Sequence, residues 1–101
     1  MPLAKFEELK RQIEPILKAS GVTFAAIFGS VARGEETSAS DIDILIHPPK
    51  DRKFSLYDLI GLETELKEKL KQDVDLVTEQ GISKHMKAFV MRDLQPLYGQ
   101  R

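Results

Sequence analysis

The six residues Asp41-Ile42-Asp43-Ile44-Leu45-Ile46 constrain this chain more than any other stretch. Successive side chains of a strand point to opposite faces. Ile42, Ile44 and Ile46 therefore share one face, which water drives into a core. Asp41 and Asp43 share the other face, about 7 Å apart at roughly 3.3 Å per residue. Aspartate is a poor strand residue. A pair at the head of a buried strand calls for a reason beyond strand propensity, and blunting an edge is the bland one.

The flanking sequence supplies a context for the pair. Residues 22–28, VTFAAIF, read as a buried β-branched and aromatic strand, and Gly29 breaks it. Gly29-Ser30 precedes Asp41 by ten intervening residues. At ordinary residue usage, a Gly-Ser/Asp-x-Asp match at one fixed spacing has a chance of roughly 10⁻³ in a chain this long. Residues 31–36 are expected to form a helical turn and then a polar loop, with Gly34 serving the turn. A further strand, DVDLV at 73–77, repeats the alternation. Val74 and Leu76 face the core there, and Asp73 and Asp75 face outward.

The remaining elements follow from periodicity and punctuation. Leu3, Phe6, Leu9, Ile13, Ile16 and Leu17 predict a helix over residues 3–19, despite Pro15. Pro48-Pro49 ends the Asp-headed strand. Ser55 caps the next helix, with Asp58 at the capping-box position. Leu56, Leu59, Ile60, Leu66 and Leu70 are expected to form its apolar face. Ile82, Met86, Phe89 and Val90 predict one side of a helix over 82–92. LQPLYG reads as a short edge strand that tolerates Pro96. The fold class is α/β (α+β), a single domain over residues 1–101. A small mixed sheet carries helices on one face, and its other face is partly open.

If the two Asp strands are neighbours, three or four carboxylates converge. Like charges at close range raise one another's pKa, and a divalent cation removes the repulsion. Oxygen-only ligands favour Mg²⁺ or Mn²⁺, and two carboxylate-bridged ions suit displacement at phosphorus. Gly29 permits a tight turn, and the N–H groups of the helical turn after it suit phosphate oxygens. Ser30 adds a hydroxyl. Arg33 adds positive charge, with a plain surface role as the equal alternative. Asp73 reads as a solvated turn residue. His47, His85, and the cluster Lys50, Arg52 and Lys53 read as structural or surface groups. Tyr57 and Tyr98 read as packing residues.

Composition excludes several classes. There is no cysteine, so disulfides, thiolate metal sites and Cys nucleophiles are out. Fifteen Lys and Arg against sixteen Asp and Glu leave a net charge of -1, which argues against nucleic acid or anionic membrane as a general partner. The opening MPLAKFEELKRQIEPILK lacks a signal peptide's apolar centre, and no apolar run nears the ~20 residues that span a bilayer. A cytoplasmic location is expected.

The stretch GSVARGEETSASDIDILI resembles the GSxxRG…SDxDL signature of the nucleotidyltransferase superfamily that includes DNA polymerase beta. The short length matches its minimal, MNT-type branch. The likeness runs from ILKASGVTFAAIFGS through VDLVTEQGI to LQPLYG. It implies the DNA polymerase beta-like fold and metal-dependent transfer of AMP from ATP, with two Mg²⁺ or Mn²⁺ ions. By that resemblance, Gly29 and Ser30 hold the nucleotide; Arg33, from its nearness in sequence, is a further candidate nucleotide contact. Asp41, Asp43 and Asp75 are the catalytic and metal-binding carboxylates. Strand parity does not separate Asp75 from Asp73; the family pattern does. The resemblance also implies a HEPN-domain toxin as partner, modified on a tyrosine, with this chain as antitoxin.

A chain of 101 residues is expected to have no room for a separate acceptor domain, so the acceptor is expected on another protein. Two alternatives remain at this level. One is a contact-only binding module that neutralises its partner without chemistry. The other is transfer to RNA or a small molecule. A homo- or hetero-oligomer is open.

Overall fold

A computed structural model describes residues 2–35 and 41–101. In chain order the elements are α1 (Leu3–Ala19), β1 (Phe24–Phe28), α2 (Gly29–Arg33), β2 (Ile42–His47), α3 (Leu56–Leu70), β3 (Val74–Thr78), a 3₁₀ turn (Glu79–Gly81), α4 (Lys84–Asp93) and β4 (Gln95–Gly99). Of residues 31–36, expected as a helical turn and a polar loop, α2 covers the turn through Arg33, and Glu36 lies outside the described residues.

The four strands form one mixed sheet in the order β3-β2-β1-β4. β1 pairs antiparallel with β2 and with β4, while β2 and β3 run parallel. A parallel pair needs a crossover, and α3 provides it. β4 is an edge strand. Its register against β1 slips between Ala25 and Ala26, which face Tyr98 and Pro96. The proline thus sits where its missing N–H is tolerated.

α1 and α3 cover one sheet face. Leu9, Ile13 and Leu17 from α1 and Leu62 and Leu66 from α3 pack on Ala25, Ile27, Ile42, Ile44, Ile46, Val74 and Leu76. The β2 isoleucines are at most 1% exposed, as their alternation requires. Pro15 lies inside α1 with its ring exposed, and the helix runs on past it. Ser55 closes the expected capping box: its hydroxyl accepts from the Asp58 N–H, and its own N–H donates to Asp58 Oδ2 at 2.7 Å.

The opposite face carries a smaller cluster. Phe24, Ala26 and Leu45 are buried there, with Phe28, Val77, Ile82, Met91 and Leu94 packed against them. α4 and the turn before it cover this part of the face.

Two expected helix faces are corrected. On α3 the core side is Leu59, Leu62, Leu66 and Leu70; Leu56 and Ile60 are exposed, and so is Tyr57. On α4, Val90 is buried, whereas Met86 and Phe89 are exposed. Both corrections have one cause. The periodicity of a short helix fixes its apolar stripe only to within about a residue, and the sheet decides the rest. Tyr98 does pack: its hydroxyl donates to the Val22 carbonyl at 2.7 Å, and burial pushes its pKa up to about 12.

These assignments predict unequal costs of truncation. Leu66→Ala empties a fully buried position and should cost about 2–5 kcal/mol. Phe89→Ala removes a larger side chain but should cost no more than about 0.5 kcal/mol. Urea denaturation of the two variants checks the reversal of size and cost.

Candidate active site

The site forms where β1 ends and β2 begins. Gly29 leaves β1 with a φ of +76°, in the left-handed region that favours glycine, and opens the five-residue helix α2. Beside it stands Asp43. A Cβ built on Gly29 would lie 2.2 Å from Asp43 Oδ2. The missing side chain at residue 29 is therefore the space in which the carboxyl sits. Gly34 closes α2 with a left-handed C-cap, and the Glu35 N–H donates to the Ser30 carbonyl at 2.9 Å.

Register brings the carboxylates together. In the parallel pairing of β2 with β3, Asp43 stands opposite Asp75. Both side chains leave the sheet face away from α1 and α3, because Ile42, Ile44, Val74 and Leu76 occupy the other. Asp41 precedes β2 and is exposed. Asp73 lies before β3, exposed, and its carbonyl accepts from the Ile42 N–H at 2.9 Å.

The electrostatics single out the pair. Burial raises the Asp43 pKa from 3.8 to about 6, with further pushes from Asp75 and Asp41 and a smaller opposing pull from Arg33. The Asp75 carboxyl is also raised, first by partial loss of hydration, then by Glu63 and Asp41, with Lys67 opposing. Among the described residues, no three Asp, Glu or His side chains enclose a cation site. Asp43 and Asp75, with Asp41 in electrostatic reach, form instead an open, oxygen-only set. That fits Mg²⁺ or Mn²⁺ sites, in which one or two carboxylates serve and substrate phosphates and water complete the shell.

Arg33 lies on α2, and its guanidinium is engaged. Nε donates to Glu35 and Nη1 to Asp93, each at 2.8 Å. The second bond ties α2 to the end of α4. His47 belongs to the far end of β2. Its Nε2 lies 2.8 Å from Glu79 Oε1, and its ring packs against Phe24. Hydrogen bonds from Arg101 and His47 pull the Glu79 pKa down to about 2. A cleft of about 420 Å³ opens there, lined by His47, Pro48, Pro49, Lys50, Thr78, Glu79 and Gln80. It lies at the opposite end of β2 from Asp41. His85 is exposed, as expected. The Arg52 guanidinium donates to the Ser20 carbonyl, which gives one member of the basic cluster a structural role.

Two contributors had no sequence signal. Glu63 accepts from the Leu76 N–H at 3.1 Å, covering the outer edge of β3, and it biases Asp75. Asp93 reaches Arg33 across sixty residues. Both depend on how helices pack on the sheet.

Comparison with known proteins identifies the family. Residues 9–97 match the model of the nucleotidyltransferase domain family. The chain belongs to that family, and its chemistry is nucleotidyl transfer. "Putative protein adenylyltransferase MJ0435" of Methanocaldococcus jannaschii is 43% identical over 86 residues, 85% of this chain and 90% of that protein. "Putative protein adenylyltransferase MJ0126" of the same organism is 40% identical, covering 91% and 94%. Among solved structures, a "putative minimal nucleotidyltransferase" superposes with a TM-score of 0.77 at 30% identity, over 95% of this chain and 96% of that one. A toxin-antitoxin crystal structure with AMP-PNP reaches 0.79 at 24% identity, over 91% and 74%. The fold is also that of a structure of a tri-AMPylated Shewanella oneidensis HEPN toxin in complex with MNT antitoxin. In that case the TM-score is 0.73 at 22% identity, over 94% and 73%.

The raised Asp43 pKa sets a pH dependence. A carboxyl that holds its proton more tightly when folded adds stability at low pH. That stability is lost as pH rises from 3.8 through about 6. At 1.36 kcal/mol per unit the ceiling is about 3 kcal/mol, and solvent screening brings it to on the order of 1–2 kcal/mol. Asp43→Asn should therefore melt above wild type at pH well over 6 in chelator, and the gap should close in acid. Parallel melting curves across that range would contradict the assignment.

Proposed function

We propose that this chain transfers AMP from ATP to a hydroxyl of a partner protein, a tyrosine of a HEPN-domain toxin, and so acts as its antitoxin. The observation that carries the reading is the placement of Asp43 between Gly29 and Asp75. The relatives, putative protein adenylyltransferases, support a protein rather than a nucleic acid as the acceptor. The toxin-antitoxin neighbours, one with AMP-PNP and one with a tri-AMPylated toxin, support the nucleotide and the partner.

The residues divide the work as follows. The first N–H groups of α2 lack intrahelical acceptors, so Gly29 and Ser30 present donors to the triphosphate. The Ser30 hydroxyl adds another. Arg33 reaches the phosphates by exchanging Glu35 or Asp93 for them, and otherwise contributes its charge across the site. Asp41, Asp43 and Asp75 hold the cations, two Mg²⁺ or Mn²⁺ by the family pattern. When bound, such ions neutralise the carboxylates and the charge developing on the transferred group. Asp75, exposed at the sheet edge, faces the incoming hydroxyl and accepts its proton. The acceptor oxygen bonds to the α-phosphorus, the bond from that phosphorus to the bridging oxygen breaks, and pyrophosphate leaves with the electron pair.

The test uses ATP labelled at the α-phosphate, Mg²⁺ and an extract of the source cells. Wild type should label one protein band, and chelator should abolish it. Asp43→Asn and Asp75→Asn should each lower labelling by roughly 10²–10³-fold, the usual cost of removing one electrostatic group from a transition state. Label on RNA or a small molecule would overturn the acceptor. No label from wild type, with the partner still captured by both forms, would favour the contact-only reading.

A further inference from the structure

Leu59, Leu62, Leu66 and Leu70 turn toward the core, so at 3.6 residues per turn the outward stripe of α3 runs through Tyr57, Gly61, Thr64 and Glu68. An outward stripe is ordinarily polar. Here Tyr57 is 88% exposed, and Leu56 and Ile60 beside it are 69% and 52% exposed. Gly61 is the second anomaly. It lies inside the helix, where glycine weakens the helix relative to alanine. Its backbone has no positive φ, and a Cβ there would meet nothing within 4 Å. Nothing within the chain requires glycine at this position, whereas the close approach of another backbone would.

We propose that this face binds a second copy of the chain, with the two α3 helices antiparallel about a twofold axis between residues 60 and 61. The stripe is self-complementary in that register, as a twofold interface demands. Gly61 lets the two backbones approach, and Ile60 meets the partner's Ile60 across the axis. Tyr57 lies over the partner's Thr64. Lys53 falls opposite the partner's Glu68. Lys53 lines a cleft of about 420 Å³ with Tyr57, Gly61 and Glu65, and Glu68 lines the neighbouring cleft that shares Glu65. Neither Lys53 nor Glu68 has an ion-pair partner among the described residues. A net charge of -1 adds little repulsion between copies. None of this depends on the transfer reaction.

Sedimentation equilibrium of the full chain should show a monomer–dimer equilibrium. Tyr57→Glu and Gly61→Arg should shift it to monomer with an unchanged circular dichroism spectrum. Lys53→Glu or Glu68→Lys alone should weaken dimerisation roughly tenfold, and the two together should restore it. The chain has no cysteine, so Ile60→Cys should oxidise to a covalent dimer while Phe89→Cys, on the exposed part of α4, should not. A wild type that stays monomeric at high concentration overturns the proposal, even if the face captures a different protein. So do charge reversals that add rather than compensate, or equal cross-linking at residues 60 and 89.

Discussion

The carboxyl of Asp43 occupies the space that any side chain at residue 29 would fill. Much of the site follows from that contact. Gly29 must take a positive φ to turn the chain out of β1, and the same lack of a Cβ lets β2 bring a carboxylate against the start of α2. A donor-rich turn and an acidic strand can then share one small volume. Alanine at residue 29 would be strained in its backbone and would collide with the Asp43 carboxyl. One glycine thus fixes both the path of the chain and the distance between the two halves of the site.

The two ends of β2 are opposite in electrostatic character. At the first end, Asp43 and Asp75 are raised by burial and by other carboxylates, with Arg33 and Lys67 as weak opposition. At the far end, Glu79 is held low by Arg101 and His47. A satisfied cluster contributes to the fold and asks for nothing more. Carboxylates crowded together without a matched cation oppose the fold when ionised, and such groups mark functional sites more often than structural ones. The contrast within a single strand favours the Asp end as the working end. The paired groups around His47 read as a clasp between β2, the 3₁₀ turn and the chain's last residue.

Helix packing tunes this arrangement from a distance. Glu63 reaches from α3 to the free edge of β3, satisfying Leu76 while adding negative charge near Asp75. Asp93 reaches from α4 to Arg33 and anchors α2 beside the site. The crossover helix and the last helix therefore do more than cover the sheet. They set the charge around two site residues that lie far from them in sequence.

The alternation of Asp and Ile in β2, the glycine at 29 and the second Asp strand were all legible in the sequence, because each is a local rule of backbone geometry. Strand parity and turn chemistry act over a few residues. They placed Asp41, Asp43, Asp73 and Asp75 on one side before any contact was known. Tertiary structure decided what depends on neighbours. The parallel register set Asp75 directly opposite Asp43 and left Asp73 outside the strand. The sheet chose Leu62 over Ile60 for the core and left Leu56 and Tyr57 in solvent. It also exposed Met86 and Phe89, because a helix of ten residues can rotate within its own periodicity until it meets a surface. Partners such as Glu63 and Asp93 become visible only when elements far apart in sequence pack together, since no rule of local geometry reaches that far.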